Sequence, residues 1–167
     1  MALIIEELDA RRHDRAGFDC GEEALNRYLK ALAGQHRVKG FATTFVLVDS
    51  EAPRQILGYY SLSAAQLAFE QLGPEERRGL PNYPIPAVRI GRLATAVSMR
   101  GQRLGELLLQ NAVKRILLAR ETLGVYAVVV EAKNETAEAF YRKYGFRRCD
   151  PTLRQLYLAL GRSGSSV

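Results

Sequence analysis

Cysteine and histidine are both scarce in this chain of 167 residues, with two of each. Cys20 and Cys149 have neither metal-ligand spacing nor a disulfide framework around them, so both read as free thiols in a reducing compartment. No metal site is expected. His13 and His36 lie in the N-terminal part, read as surface residues, and leave the rest of the chain without an obvious histidine base. Long hydrophobic runs are missing too. No segment is apolar enough to cross a membrane, and the opening Met-Ala-Leu-Ile-Ile-Glu-Glu-Leu-Asp lacks a secretory pattern, so a cytoplasmic location is expected.

What is present is an ordinary globular composition, 47% hydrophobic and 25% charged. The length suits one domain with a full core, here placed at 1–160, with 161–167 as a disordered tail. No internal repeat and no second domain is seen. Net charge is +6 with a pI near 9.5. Such a charge suits a nucleotide cofactor or a nucleic-acid partner, and equally a plain basic enzyme.

Residues 3–8 read as an opening strand. Asp19 and Glu22 have the spacing of a helix N-cap and its reciprocal partner. Ala24, Leu25, Tyr28, Leu29 and Leu32 then repeat at helical spacing, and Gly34 is expected to end that helix ahead of a short basic stretch, Gln35 to Lys39. Thr43 to Asp49 and Gln55 to Ser63 read as a strand hairpin. Residues 64–87 hold Pro74, Pro81, Pro84 and Pro86 and are expected to be irregular but ordered, beside a substrate entrance.

The most informative stretch runs from Val88 to Leu109. Ile90, Leu93, Ala94 and Val97 make a mostly apolar strand. Arg100, Gly101, Gln102, Arg103, Leu104 and Gly105 make a tight turn, and a helix starts at Leu104. Such a turn aims backbone N–H groups outward at the positive end of a helix dipole, a site that suits pyrophosphate. A helix start also needs such a turn for purely structural reasons. Along the helix, Gly105, Leu108, Ala112, Ile116 and Ala119 fall on the buried face, and Arg103, Glu106, Gln110 and Lys114 on the wet one. Gly124 is expected to end the helix. Val125 to Ala132 reads as a covered parallel strand, which completes a βαβ unit. Asn134 is placed to cap the next helix, and Gly145 to stop it. Asp150-Pro151 marks a turn, and Gln155 to Leu160 a last strand.

Arg100 to Gly105 resembles the acetyl-CoA pyrophosphate loop of the GNAT acetyltransferases, Gln/Arg-x-x-Gly-x-Gly/Ala. The run Asn134-Glu135-Thr136-Ala137-Glu138-Ala139-Phe140-Tyr141-Arg142-Lys143-Tyr144-Gly145-Phe146 resembles their next signature. Two motifs in the right order, one strand apart, are far more specific than either alone. The loop departs from the pattern at Arg103, which stands where the first loop glycine is usual and has less freedom to take a positive φ. Phe18 to Leu29, Gly58 to Ser63, Leu80 to Pro86 and Gly91 to Ala94 further resemble the GNAT toxins of bacterial toxin–antitoxin pairs. Thr95-Ala96 stands where that branch usually has Asp or Glu.

The resemblance implies an α/β (α+β) GNAT fold. Its central sheet would be mixed and mostly antiparallel, with one splayed parallel strand pair and flanking helices. It implies acetyl-CoA as cofactor and an N-acetyltransferase that blocks translation by acetylating the α-amine of aminoacyl-tRNA. It also implies a homodimer, and a ribbon-helix-helix antitoxin as partner. Leu93, Ala94, Thr95, the Arg100 to Gly105 turn, Asn134 and Tyr141 would contact the cofactor. Tyr141 occupies the position of the family's general acid. Aromatic packing beside Phe140 is the other reading of Tyr141.

The residues themselves say something about the acceptor. A lysine amine, with a pKa of about 10.4, needs help to lose its proton, whereas an α-amine at about 7.7 to 8.0 already has a substantial neutral fraction near physiological pH. The lack of an evident base therefore favours an α-amine. Glu131 is either a base acting through water or a strand-end surface carboxylate, the second being preferred. Arg37, Lys39, Arg77, Arg78, Arg89 and Arg92 are the candidate tRNA contacts, each also readable as an ordinary solvated charge. A small amine, a peptide N-terminus or a protein lysine is the alternative acceptor, and a non-catalytic binding module is the reading from another class.

Overall fold

The computed structural model describes residues 2–149 and 154–161. In chain order it contains β1 (Leu3–Glu7), α1 (Glu23–Arg27), α2 (Ala33–Lys39), β2 (Thr43–Asp49) and β3 (Gly58–Leu67). These are followed by α3 (Pro74–Arg77), β4 (Ile85–Thr95), α4 (Leu104–Ala119), β5 (Ala127–Glu131), α5 (Glu135–Lys143), β6 (Arg147–Arg148) and β7 (Gln155–Ala159). The strands form a mixed seven-stranded sheet in the order β1-β2-β3-β4-β5-β7-β6, with one parallel pair. The parallel neighbours are β4 and β5, because a helical crossover through α4 returns the chain in its original direction. This is the expected mixed α/β architecture.

The chain divides into two compact units: residues 1–63 with 90–113, and residues 64–89 with 114–167. In the first unit β1 pairs antiparallel with β2, from Leu3 opposite Asp49 to Glu7 opposite Phe45. Antiparallel pairing of β2 with β3 sets Phe45 opposite Tyr60, and their rings stack with centroids 5.3 Å apart. One core cluster gathers Phe18, Tyr28, Leu29, Val46, Val48, Ile56, Tyr59 and Ala94. Burial of such side chains contributes on the order of 1.5–3 kcal/mol each. Tyr59 satisfies its buried hydroxyl by donating to the Leu25 carbonyl at 2.7 Å.

The N-terminal helix departs from the sequence expectation in three ways. Its N-cap is Glu22, which makes no side-chain cap. Asp19 instead accepts from the Gly21 N–H at 2.8 Å and the Asn26 amide at 3.0 Å, and Gly21 at φ +87° turns the chain before the helix begins. Gly34 does not end the helix. Residues Tyr28–Leu32 form a widened turn in which the Ala33 N–H donates to the Tyr28 carbonyl, and α2 then runs on through Gln35–Lys39. Gly40, at φ +77°, is the true stop. Its N–H donates to Arg37, and the Phe41 N–H reaches the His36 carbonyl at 2.8 Å, a closing pattern that needs a left-handed residue. The inserted residue of the wide turn rotates the apolar register, which leaves Leu32 at the surface.

The histidines also differ from expectation. His13 is buried. Its Nδ1 accepts from the Asp9 N–H and its Nε2 faces a Glu6 carboxylate oxygen, both at 2.9 Å. With both ring nitrogens partnered, a polar ring can sit inside. His36 is half-buried and shares a hydrogen bond of 3.0 Å with the Tyr28 hydroxyl.

In the second unit, β5 pairs antiparallel with β7 from Ala127 opposite Ala159 to Glu131 opposite Gln155. A core forms from Leu67, Leu72, Ile85, Ala87, Ala127, Val129, Cys149 and Tyr157. The proline-rich stretch is more regular than expected. It contains the end of β3, a tight turn at Phe69–Gln71, and α3 with Pro74 in its first turn, where the missing N–H costs nothing. Pro86 lies inside β4, where its carbonyl accepts from Tyr126 at 2.8 Å. Helix α4 ends at Ala119, ahead of Gly124. Its C-terminal carbonyls are met by the N–H groups of Arg120 to Leu123, so no left-handed glycine is needed. The Asp150-Pro151 turn and most of the 161–167 tail fall outside the described residues. Both cysteines are free thiols, and burial pushes the Cys149 thiol up to about 11.

Candidate active site

In the first unit Leu93, Ala94 and Thr95 are the last three residues of β4. Gly58 opens β3 beside them, because a Cβ there would meet the Ala94 carbonyl at 3.0 Å and Leu108 at 2.9 Å. Beyond Thr95 the chain is pinned from two sides. The Ala96 N–H donates to the Leu57 carbonyl, and the Val97 N–H to the Asp19 carbonyl, both at 2.9 Å. A single tight turn at Val97–Met99 then leads to Arg100.

The turn itself has the shape the sequence suggested. Gly101 takes φ +81° and Arg103 φ +56°, the latter being the one non-glycine at positive φ among the described residues. Arg103 thus adopts the conformation that a glycine would adopt more easily. Gly101, Gln102 and Arg103 are exposed and Leu104 is buried at the start of α4. The first N–H groups of a helix have no partner within it, and two left-handed residues just before them turn successive N–H groups to one side. This arrangement suits a pyrophosphate. Buried Leu104, Leu108, Leu109, Ala112 and Ile116 anchor the helix behind it.

A small network that the sequence reading missed holds the turn in place. The Asp19 carboxyl lies below its ordinary range because Gly21 and Asn26 donate to it, with Arg100 adding positive charge nearby. The Asn26 side-chain carbonyl in turn accepts from the Cys20 N–H at 2.8 Å. Asn26, inside a run that otherwise reads as helix, was the available signal. A cleft of about 530 Å³ opens here, lined by Asp14, Asp19, Gln55, Ala96, Val97 and Ser98.

In the second unit Asn134 caps α5, its side-chain oxygen accepting from the Ala137 N–H at 2.9 Å. Gly145, at φ +94°, closes the helix as expected. Tyr141 sits in the last turn of α5, buried to 7% exposure. Its ring packs edge-on to Phe140 at 5.3 Å and against Phe146 at 5.4 Å. No partner to its hydroxyl is seen among the described residues. Burial pushes this hydroxyl up to about 12, so the group stays protonated at any physiological pH. Nearby, Arg148 pairs with the buried Glu138, whose carboxyl it holds below the ordinary range.

The remaining sequence candidates fall into two groups. Arg37 is paired with Glu7 at 2.7 Å, Arg89 with Glu131 at 3.3 Å, and the Arg92 guanidinium lies 3.5 Å from the centre of the Tyr28 ring. Glu131 is thereby the exposed strand-end carboxylate of the preferred reading. Lys39, Arg77 and Arg78 make no ion pair among the described residues, and no cluster there of three metal-ligating side chains is found.

A family model described as an acetyltransferase (GNAT) domain matches residues 41–148. The chain is 31% identical over 133 residues to the tRNA-acetylating toxin of Mycobacterium tuberculosis (strain ATCC 25618 / H37Rv), covering 80% of this chain and 78% of that protein. Among solved structures, AtaT complexed with acetyl-methionyl-tRNAfMet superposes with a TM-score of 0.86 at 34% identity, covering 94% of each chain. A tyrosine-to-phenylalanine mutant of the AtaT toxin, bound to the C-terminus of the antitoxin AtaR and to acetyl-CoA, gives a TM-score of 0.79 at 33% identity, with 95% of this chain and 94% of that one covered.

Proposed function

The chain belongs to the GNAT family of acetyl-CoA-dependent N-acetyltransferases, and on that footing we propose that it is a toxin that acetylates the α-amine of aminoacyl-tRNA and so blocks translation. The likeness to AtaT complexed with acetyl-methionyl-tRNAfMet, at 34% identity over nearly the whole chain, carries this reading. Acetyl-CoA supplies an acyl group activated as a thioester. Gly101 to Gly105 hold its pyrophosphate through backbone N–H groups, with Arg100 and Arg103 adding positive charge. The N–H groups of Leu93 to Thr95 bind the pantetheine arm or the thioester carbonyl. Asn134 fixes the start of α5, the helix that carries Tyr141.

Tyr141 is the general acid. Its hydroxyl would keep its proton and offer it to the thioester sulfur of bound acetyl-CoA as that sulfur takes on charge. Full transfer from a hydroxyl at about 12 to a thiolate near 8.5 is uphill by about 5 kcal/mol. Tyr141 therefore acts chiefly by hydrogen-bonding the sulfur as its charge develops. Both histidines are tied to structural partners, and Glu131 is paired with Arg89. An acceptor that loses its own proton near neutral pH fits this set of residues, and an α-amine does so.

The toxin works in the cytoplasm as a homodimer and is neutralised by a ribbon-helix-helix antitoxin. Lys39, Arg77 and Arg78 are its uncommitted tRNA contacts, while Arg37, Arg89 and Arg92 serve first as structural cations. Incubation with acetyl-CoA and a pool of charged tRNAs, read by mass spectrometry, should give N-acetyl-aminoacyl ends. Absence of such ends, with acetyl-CoA still bound, would shift the acceptor to a small amine, a peptide N-terminus or a protein lysine.

A further inference from the structure

A second cleft in the first unit has a different character from the one lined by Asp14, Asp19 and Ser98. Its volume is about 560 Å³, and Arg15, Phe18, Glu23, Asn26, Arg27 and Lys30 line it. Three cations face one carboxylate. None of the three is in an ion pair among the described residues, although Glu23 stands four residues before Arg27 and is placed to pair with it. Arg15 is half-buried and held by the Lys30 carbonyl at 3.3 Å. Arg27 and Lys30 are exposed and one helical turn apart. The charge here is uncommitted, unlike that of Arg37 and Arg89.

The cleft is also linked by hydrogen bonds to the segment just beyond β4. Asn26, in its wall, donates to the Asp19 carboxylate and accepts from the Cys20 N–H. The Asp19 carbonyl receives the Val97 N–H just beyond β4. One residue thus joins the cationic wall to the segment that leads into the cofactor turn. Phe18, which also lines the cleft, packs its ring against Tyr59 at 5.6 Å and belongs to the core cluster.

We infer that this cleft binds the phosphate backbone of the RNA acceptor, with Arg27 and Lys30 as phosphate contacts and Arg15 as the fixed cation between them. The inference rests on the aminoacyl-tRNA reading and adds the face on which the RNA lies. Unpaired cations on a rigid wall release counterions when they meet phosphates, so their contribution appears in the salt dependence of binding.

The experiment compares wild-type protein with the Arg27→Gln/Lys30→Gln double variant, using a pool of charged tRNAs and acetyl-CoA. Binding is measured between 50 and 200 mM salt, and acetylation kinetics at one salt concentration. The expected result is a log–log salt slope shallower by roughly one to two units and a KM for charged tRNA raised roughly tenfold, with the acetyl-CoA thermal shift unchanged. The single variant Arg27→Lys, which keeps both charges, should retain most of the wild-type slope. A double variant that folds, keeps its acetyl-CoA shift and shows the wild-type slope and KM would overturn the cleft assignment and leave the acetylation reading intact. Wild-type protein that neither binds nor acetylates charged tRNA would overturn both, and that failure is visible without any variant.

Discussion

Removal of the Tyr141 hydroxyl separates catalysis from packing with unusual clarity. Tyr141→Phe keeps the ring that packs on Phe140 and Phe146 and deletes a hydroxyl with no partner among the described residues. Loss of an unpartnered hydroxyl from a side chain only 7% exposed should leave stability within about 0.5 kcal/mol of wild type, or raise it slightly. A preorganised donor to a developing negative charge contributes far more to the rate, on the order of 10²–10³ in kcat. The expected pattern is a kcat lower by two to three decades, an unchanged acetyl-CoA thermal shift and an unchanged melting temperature. The pH profile adds an independent check. Activity should rise as the acceptor amine loses its proton, at about 7.7 to 8.0, and should then stay level past pH 10, because burial holds the Tyr141 hydroxyl at about 12. Steady-state kinetics on charged tRNA from pH 6 to 10.5 reads both effects. A variant within threefold of wild-type kcat would refute the acid role, and a fall of several degrees in melting temperature would assign the residue to packing.

Other perturbations test the framework of the site. Arg103→Gly removes a left-handed strain of roughly 1–2 kcal/mol, offset by about 0.5–1 kcal/mol of added unfolded-state entropy. Calorimetry should therefore show stability unchanged or slightly higher. Acetyl-CoA titration should show affinity retained if the backbone N–H groups hold the phosphates, and a tenfold loss would assign the contact to the guanidinium instead. Asn134→Ala removes the cap of α5 and should cost about 1 kcal/mol, or roughly 2–4 °C in melting temperature, with Asn134→Asp largely sparing it. Alkaline conditions should weaken the fold between pH 10 and 12. Burial raises both Tyr141 and Tyr157 from 10.0 to about 12, so the folded chain holds these protons more tightly than the unfolded one. Their contribution is full below pH 10 and lost as pH rises through 12, at about 3 kcal/mol for Tyr141. Urea midpoints at pH 8 and 11.5 measure the loss, and Tyr141→Phe should reduce it.

Much of this protein was decided locally and is therefore legible in the sequence. The turn before α4 needs positive φ and free N–H groups, and Gly101 with its neighbours states that need within six residues. Asn134 and Gly145 bound α5 because a side-chain acceptor and a left-handed stop act within a few residues of themselves. The continuous apolar run of β5 and the one-sided face of α4 follow from burial on one or both sides, which periodicity records. Tertiary structure decided the rest, where a residue's role depends on a partner far along the chain. Asp19 has the spacing of a helix cap, yet Asn26 and Gly21 claim its carboxylate and its carbonyl takes Val97. His13 belongs inside only because Glu6 and Asp9 meet both of its ring nitrogens. A widened turn at Tyr28–Leu32 moved the helix stop from Gly34 to Gly40, a shift of register that composition does not encode. Which arginines stay free was decided the same way. Arg37, Arg89 and Arg92 read in the sequence as candidate tRNA contacts or solvated charges and are held by Glu7, Glu131 and Tyr28, whereas Arg27, four residues after Glu23, is in no ion pair among the described residues.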